Sequence, residues 1–469
     1  MVHLAPEILH MVLDQVKDHP TTLSCRMVDK TFATIAIPFV FKTIVIKKEV
    51  IKAEFDMTFE ALSARKDIIR YVKRIVYDAH AVVVPPNSKA DETESMSDIE
   101  ESGNSSDEYN DEEVPNASAN IKSATNNGRS ILLTLMHAAE KAHILTFPPR
   151  GEEGNEEPNE QQAARFIQSM VQEFEFLHRF NNLESLGIYF PWERYDFQGY
   201  YEAFQELPTY CTIDIQLQDA ILSGCAGAAK KFEGGIHLKA VELHNMLAYP
   251  SPALELEGLR LLVKSITSFT VSVYPGYHNF QEDTSEGSTD VRFVRRMTGL
   301  MRNMENLEDL TYSNDAGSDS VSERWGQWDT LHFPRLRSLR FKSLAFDREH
   351  DEDAIATDFL VRHKATLEEI HMEDCLVRVT EPGAWEAAFE EIKEQLEHLT
   401  SFTFEPLAGP DEAGEWYLGY GWHNIDSDEL ETIMVGSMDD YDEEDVARDL
   451  EALKSLQETV SRRRNELRK

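Results

Sequence analysis

His363, His371 and Cys375 lie close enough in sequence to suggest metal ligation, the one chemistry their residue types share. Their setting argues against it. His371 sits between Ile370 and Met372 on a short strand-like run, where alternation sends its side chain away from those two apolar neighbours. His363 falls at the end of a helix-like segment, so packed or surface histidines are expected instead of ligands. The chain has no His-Glu-x-x-His, Gly-x-Ser-x-Gly, Walker-type or Gly-x-Gly-x-x-Gly pattern. The acidic run within 85–128 lacks the ordered Asp-x-Asp-x-Asp-Gly spacing and closing Glu of a calcium loop. Ser95, Ser97 and Ser105 each have an acid three residues downstream, which suits an acidophilic kinase. The expectation is a protein without catalytic residues, cofactor or metal.

Composition narrows the partners. The 469 residues include 85 acidic and 46 basic side chains, a formal net charge of −39 that repels nucleic acid and anionic lipid. Neither nucleic acid nor membrane is expected as a partner, and no window approaches the length that spans a bilayer. Cys25, Cys211, Cys225 and Cys375 show no paired spacing, which fits a reducing compartment. Glu7 and Asp14 interrupt the first apolar stretch, against a signal peptide. The location implied is cytoplasmic, nuclear or both.

Next come the elements that would position any site. Ile8, Leu9, Val12, Leu13 and Val16 form a helical stripe, and Asp18 and Pro20 suit the start of a second helix. That helix carries Leu23, Met27, Val28, Phe32 and Ile35 inward, and Pro38 is expected to end or kink it. Residues 39–46 lead into a strand, and 46–84 hold a linking helix and strand. Residues 85–128 are acidic, Ser- and Asn-rich and nearly empty of large apolar side chains, so they are expected to be disordered. Residues 148–162 form a second acidic insert.

From about residue 163 a helical stretch followed by an L-x-x-L-x-L strand recurs. The anchors are Leu183/Leu186/Ile188, Leu238/Val241/Leu243, Ile266/Phe269/Val271, Leu307/Leu310/Tyr312, Leu336/Leu339/Phe341, Leu367/Ile370/Met372 and Leu399/Phe402/Phe404. The last four begin at 307, 336, 367 and 399, the period of an irregular leucine-rich repeat. The alternative is a set of unrelated βα units in an α/β sheet. The wider steps from 183 to 238 and from 266 to 307 leave room for a loop or a further repeat. Residues 129–438 are therefore expected to form the repeat domain. The tail 439–469, with Val446, Leu450, Leu453, Val460 and Leu467 on one face, is expected to form a capping helix. Arg462, Arg463 and Arg464 mark its basic end.

Leu4, Pro6, Glu7, Ile8 and Leu9, then Leu23, Cys25, Arg26, Val28, Lys30 and Phe32, with Ala36, Pro38 and Phe41, resemble the F-box in the form common in fungal proteins. The likeness covers residues 1–45. It implies an α/β chain in which a three-helix F-box-like motif precedes an irregular leucine-rich-repeat solenoid. The helices would dock on the Skp-type linker subunit of a cullin–RING ubiquitin ligase, and the repeats would bind a protein substrate. By this match Leu4, Pro6, Ile8, Leu23, Val28 and Phe32 shape the docking surface, and Glu7 orients the first helix. Arg26 and Lys30 lie at the rim, and Phe41 stands near where many such motifs carry Trp. Substrate contacts are expected from two aromatic stretches, through Tyr189, Trp192 and Tyr195 and through Trp416, Tyr420 and Trp422. The alternative function is a repeat scaffold outside any ligase, its first helices serving only as a cap.

Overall fold

The computed structural model describes residues 11, 13, 30–47, 58–78, 160–190, 210–232, 238–274, 289–314, 330–346, 355–378, 384–405, 419–423, 433–435 and 443–468. The first acidic insert, residues 148–159 of the second and most of the F-box-like stretch lie outside these, while residues 160–162, expected in the insert, begin a helix. Helix α1 (Lys30–Val40) leads into β1 (Thr43–Lys47). Short helices α2 (Phe59–Ser63) and α3 (Lys66–Ile69) precede β2 (Arg74–Asp78). Next come α4 (Glu160–Glu175), β3 (Ser185–Tyr189), α5 (Tyr210–Lys231) and β4 (Ala240–Leu247). They are followed by α6 (Glu257–Val263), β5 (Ser268–Tyr274), α7 (Thr289–Met301) and β6 (Asp309–Asn314). The chain continues through β7 (Ser338–Lys342), β8 (Ala345–Phe346), α8 (Ile355–Arg362), β9 (Glu369–Glu373) and β10 (Leu376–Arg378). The last elements are α9 (Ala384–Gln395), β11 (Ser401–Glu405), β12 (Gly419–His423), β13 (Ile433–Val435) and α10 (Glu443–Leu467).

The fold is α/β. Nine strands form one parallel sheet in the order β1-β2-β3-β4-β5-β6-β7-β9-β11, and β13-β12-β10-β8 form a smaller second sheet. Each strand of the large sheet lies beside the one before it. With right-handed crossovers this monotonic order puts every connecting helix on one face. A doubly wound sheet reverses its order and carries helices on both faces.

Register explains why the spacing in the sequence works. Ile44, Ile75, Leu186, Val241, Phe269, Leu310, Leu339, Ile370 and Phe402 are Cα partners in one unbroken row across the sheet. Ile46, Tyr77, Ile188, Leu243, Val271, Tyr312, Phe341, Met372 and Phe404 form a second row two residues on. Both rows point at the helices, because residues two apart share a face. In all seven expected anchor sets the second and third residues fall on a strand, and the first lies two residues before it. β1 and β2 carry the same spacing through Ile44/Ile46 and Ile75/Tyr77, so the sheet begins inside residues read as F-box motif and linker. Among the described residues, the step from 183 to 238 holds the long α5 and that from 266 to 307 holds α7, neither adding a strand.

Backbone bonds repeat at the entry to each strand. The carbonyl of Lys42 accepts from the amides of Lys73 and Arg74, and that of Lys73 from Glu184 and Ser185. The pattern continues to Glu368, whose carbonyl accepts from Thr400 and Ser401.

Helix packing follows from the same logic. In α9 and the turn after it, Trp385, Ala388, Phe389, Ile392 and Leu396 are buried at helical spacing. Trp385 stacks on Phe389 at 5.0 Å and meets the edge of Phe404 at 5.2 Å. In the α5 region, Gly258 admits a close backbone approach. A Cβ there would stand 2.0 Å from the Ala226 carbonyl oxygen.

Two local expectations need correction. Pro38 does not end its helix: α1 runs through it to Val40, so only the last turn follows it. In α10 the packed seam is Val446, Asp449, Ala452, Leu456 and Val460, whereas Leu450 and Leu467 are exposed. At 3.6 residues per turn Leu450 lies about 100° from the centre of that seam. Leu467 is in phase but one turn beyond Arg463, which already reaches the end of α9. The terminal helix also completes its neighbour at both ends. Asp449 Oδ1 accepts from the Glu386 amide at 2.6 Å, and Arg463 donates to the carbonyls of Lys393 and Leu396 at 2.8 and 2.9 Å. An acid thus meets the amide end of α9 and a cation its carbonyl end.

Candidate functional site

The residues between the apolar rows face away from the helices, and they divide the sheet into three zones. In the first, Arg74 Nη2 reaches across β3 to donate to both carboxylate oxygens of Glu242, each at 2.9 Å. Gly187, the Cα partner of Glu242, lines this path, and a Cβ there would make only ordinary contact with Glu242 Oε2, at 3.5 Å. His244 Nε2 stands 3.6 Å from Glu242 Oε2, and its ring stacks on Tyr189 at 4.1 Å. His244, then the Arg74 guanidinium, hold the Glu242 carboxyl below its usual range.

The middle zone carries small hydroxyls: Thr270 and Ser272 on β5, Thr311 and Ser313 on β6. Here β4 bulges, the register shifting between Leu243 and Met246, with Asn245 in the left-handed region at φ 59°. The Asn245 amide donates to Ser272 Oγ at 2.7 Å, which ties the bulge to the next strand.

The third zone is the most charged. Arg340 Nη2 lies 2.9 Å from His371 Nε2. Lys342 Nζ donates to Glu373 Oε1 at 2.7 Å and, with Arg340, keeps the Glu373 carboxyl below its ordinary range. Asp374, left-handed at φ 52°, is pushed up by burial and by the nearby Glu373 and Glu405 charges. His371, Glu373 and Glu405 bring three potential ligand atoms within 4.8 Å of one another. The chain's own Arg340 and Lys342 already serve the first two, so the trio works as an ion-pair network.

His363 and Cys375 are kept from chemistry by burial. His363 Nε2 accepts from the Phe333 amide at 2.9 Å and Nδ1 donates to Phe359 O at 2.7 Å. Burial lowers this imidazole to about 4. The Cys375 thiol is pushed up to about 12 and points at the carbonyls of Phe341 and Glu373, so it is not a thiolate nucleophile or ligand.

Of the residues singled out for linker contact, Phe32 and Phe41 are described and half-buried on and just after α1. Phe41 packs against both the main core and a small cluster of Leu13, Ala36 and Val40. Leu4, Pro6, Glu7, Ile8, Leu23, Arg26 and Val28 lie outside the described residues, as do Trp192, Tyr195 and Trp416. Tyr189 faces outward in the first zone. Tyr420 and Trp422 fall on β12, in the smaller sheet, and so on a different sheet from Tyr189. Arg74, Glu242, His244, Arg340, Lys342 and Glu373 went unread in the sequence. The signal was present: each occupies, or lies two residues from, an "x" of the anchor spacing. No family model and no curated protein matches the chain.

Proposed function

We propose that the chain is a substrate adaptor of a cullin–RING ubiquitin ligase: an F-box-like motif docks on the Skp-type linker, and a leucine-rich-repeat solenoid holds a protein substrate. Catalysis is by proximity, since holding a target lysine beside the charged enzyme raises its effective concentration. The motif residues at 4–41 carry the docking half. The observation that carries the solenoid half is the unbroken register of nine successive parallel strands, each with the same apolar pair. Leu367, Ile370, Met372, Cys375 and Val377 fit the longer L-x-x-L-x-L-x-x-C-x-L repeat pattern. The S–H of that cysteine directed at a carbonyl of the preceding coil fits the same reading.

A second reading, the scaffold whose first helices only cap the array, is favoured by one observation: Phe41 packs on the core of the sheet. Removing residues 1–29, which stops short of α1 and β1, separates the two. The adaptor loses capture of the Skp-type linker and melts close to the parent chain. A cap that is removed leaves a protein that melts far lower, from a parent that did not bind the linker.

A further inference from the structure

In a chain of net charge −39, one helix presents arginine to solvent. On α7 the inward seam is Phe293, Val294, Met297, Leu300 and Met301, all buried. At about 100° per residue, Arg292, Arg295, Gly299 and Arg302 fall on the opposite face, and the three arginines are exposed. The neighbouring α6 packs beside α7 and exposes Arg260 and Lys264 together with Glu257. Two further acids of this surface are already engaged. Glu255 Oε1 lies 3.4 Å from Arg296 Nε, and Glu305 Oε1 lies 4.0 Å from Lys264 Nζ. Among the described residues, nothing pairs with the guanidinium groups of Arg260, Arg292, Arg295 or Arg302. Gly299 adds a second feature. Glycine weakens a helix relative to alanine and serves where another backbone comes close. A Cβ there would meet nothing within 4 Å, so packing does not call for it. It leaves bare helix between Arg295 and Arg302, open to a chain laid along the arginines.

We propose that this face of α7 is the docking site of the chain's own acidic segment 91–113, held by Arg292, Arg295 and Arg302. The segment carries 11 acidic and no basic side chains, so its charge is opposite to that of the face. An acidic partner from solution has to approach against the repulsion of the whole chain. A segment joined covalently is met at roughly millimolar effective concentration instead. The connection also starts in the right place. The insert departs after Asp78, at the carboxyl end of β2. A helix between two parallel strands runs back against them, so α7 begins at that same end of the sheet, with Arg292 near its start. Three strand spacings, about 15 Å, separate β2 from β5. The stretch from Asp78 to Asp91 can reach up to about 45 Å. The docked segment lies on the helix side and leaves the outward face of the sheet clear.

The test is the rate at which a Glu-specific protease cuts within 91–113 of the full-length protein, followed by intact mass beside a synthetic peptide of residues 85–118. At low salt the parent chain is cut about tenfold more slowly than the peptide, the effect of a few surface ion pairs acting together. Salt at about 0.5 M removes the difference. Arg292→Gln/Arg295→Gln/Arg302→Gln brings the rate to that of the peptide without lowering the melting temperature, since these side chains are exposed. Gly299→Glu, which covers the bare helix with a charge of the insert's own sign, acts in the same direction. Arg462→Gln/Arg464→Gln/Arg468→Gln, at the exposed end of α10, leaves the rate as in the parent. A parent insert cut as fast as the free peptide overturns the proposal, as does equal acceleration by the two arginine sets. Protection that grows with protein concentration gives the face to the insert of a second copy and also overturns it. So does an insert cut freely while a labelled poly-glutamate peptide binds the face, which gives the site to an external acidic partner. The Skp-type linker has no part in this readout, so failure of either reading leaves the other standing.

Discussion

The two ends of the large sheet are built from the same rungs but stitched together differently. From β7 to α9 the polar contacts step by one period. Phe333 to His363 spans 30 residues, and Arg337–Glu368, Arg340–His371, Lys342–Glu373, Arg362–Leu331 and Lys364–Gln395 each span 31. From β2 to β4 the same kinds of contact join residues 111, 55 and 168 apart, in Lys73–Glu184, Lys239–Glu184 and Arg74–Glu242. Spatial neighbourhood is constant while sequence separation is not. The lesson is that the register is held by apolar pairs and entry-strand carbonyls, and connections of any length can be hung between them.

Four measurements would break or sharpen that contrast. The largest effect belongs to the periodic end. Trp385→Ala removes a fully buried indole that contacts Phe346, Phe389 and Phe404, and should cost about 3–5 kcal/mol in urea unfolding. A loss below about 1 kcal/mol would mean the α9 rung contributes little to the array.

The same end carries a pH response. His363 is neutral in the fold, lowered from 6.5 to about 4, whereas in the unfolded chain it titrates near 6.5. Between those values the unfolded state binds a proton that the folded state refuses. Stability is therefore full above pH 6.5 and falls as pH drops toward 4, by at most about 3 kcal/mol. His363→Asn should flatten the dependence of the urea midpoint on pH in that window, and an unchanged slope would assign it to carboxylates.

In the aperiodic end, Gly258→Ala pushes a methyl against the Ala226 carbonyl and should cost about 1–3 kcal/mol, as overpacking does. A neutral result would show that α5 and α6 separate without cost. The smallest effect is expected for Arg74 and Glu242, both partly exposed: a double-mutant cycle with Arg74→Met and Glu242→Gln should give a coupling of up to about 1 kcal/mol, fading with salt. Coupling of several kcal/mol would make that pair a structural keystone of the sheet.

The sequence showed the apolar rows and concealed what lies between them. Leu336/Leu339/Phe341 and its successors announce themselves because one residue type recurs at one spacing. Ile75 and Tyr77 have the same spacing, yet more than a hundred residues separate them from Leu186 and Ile188, so no period appears. The site is harder still. Arg74 finds Glu242 only because β3 brings β2 and β4 into one register, and nothing local in either residue signals that. By contrast, the inward Ile370 and Met372 and the outward His371 were readable from alternation alone.

The account stands or falls on the motif at the start of the chain. The most direct test is titration calorimetry of the full-length protein with the purified Skp-type linker, beside a Leu23→Asp/Val28→Asp variant shown by its melt to be folded. The account predicts tight, stoichiometric binding that the variant loses, since a buried aliphatic anchor should be worth about 2 kcal/mol or more. A folded parent chain that gives no heat with the linker, or a variant that binds as well as the parent, would contradict it.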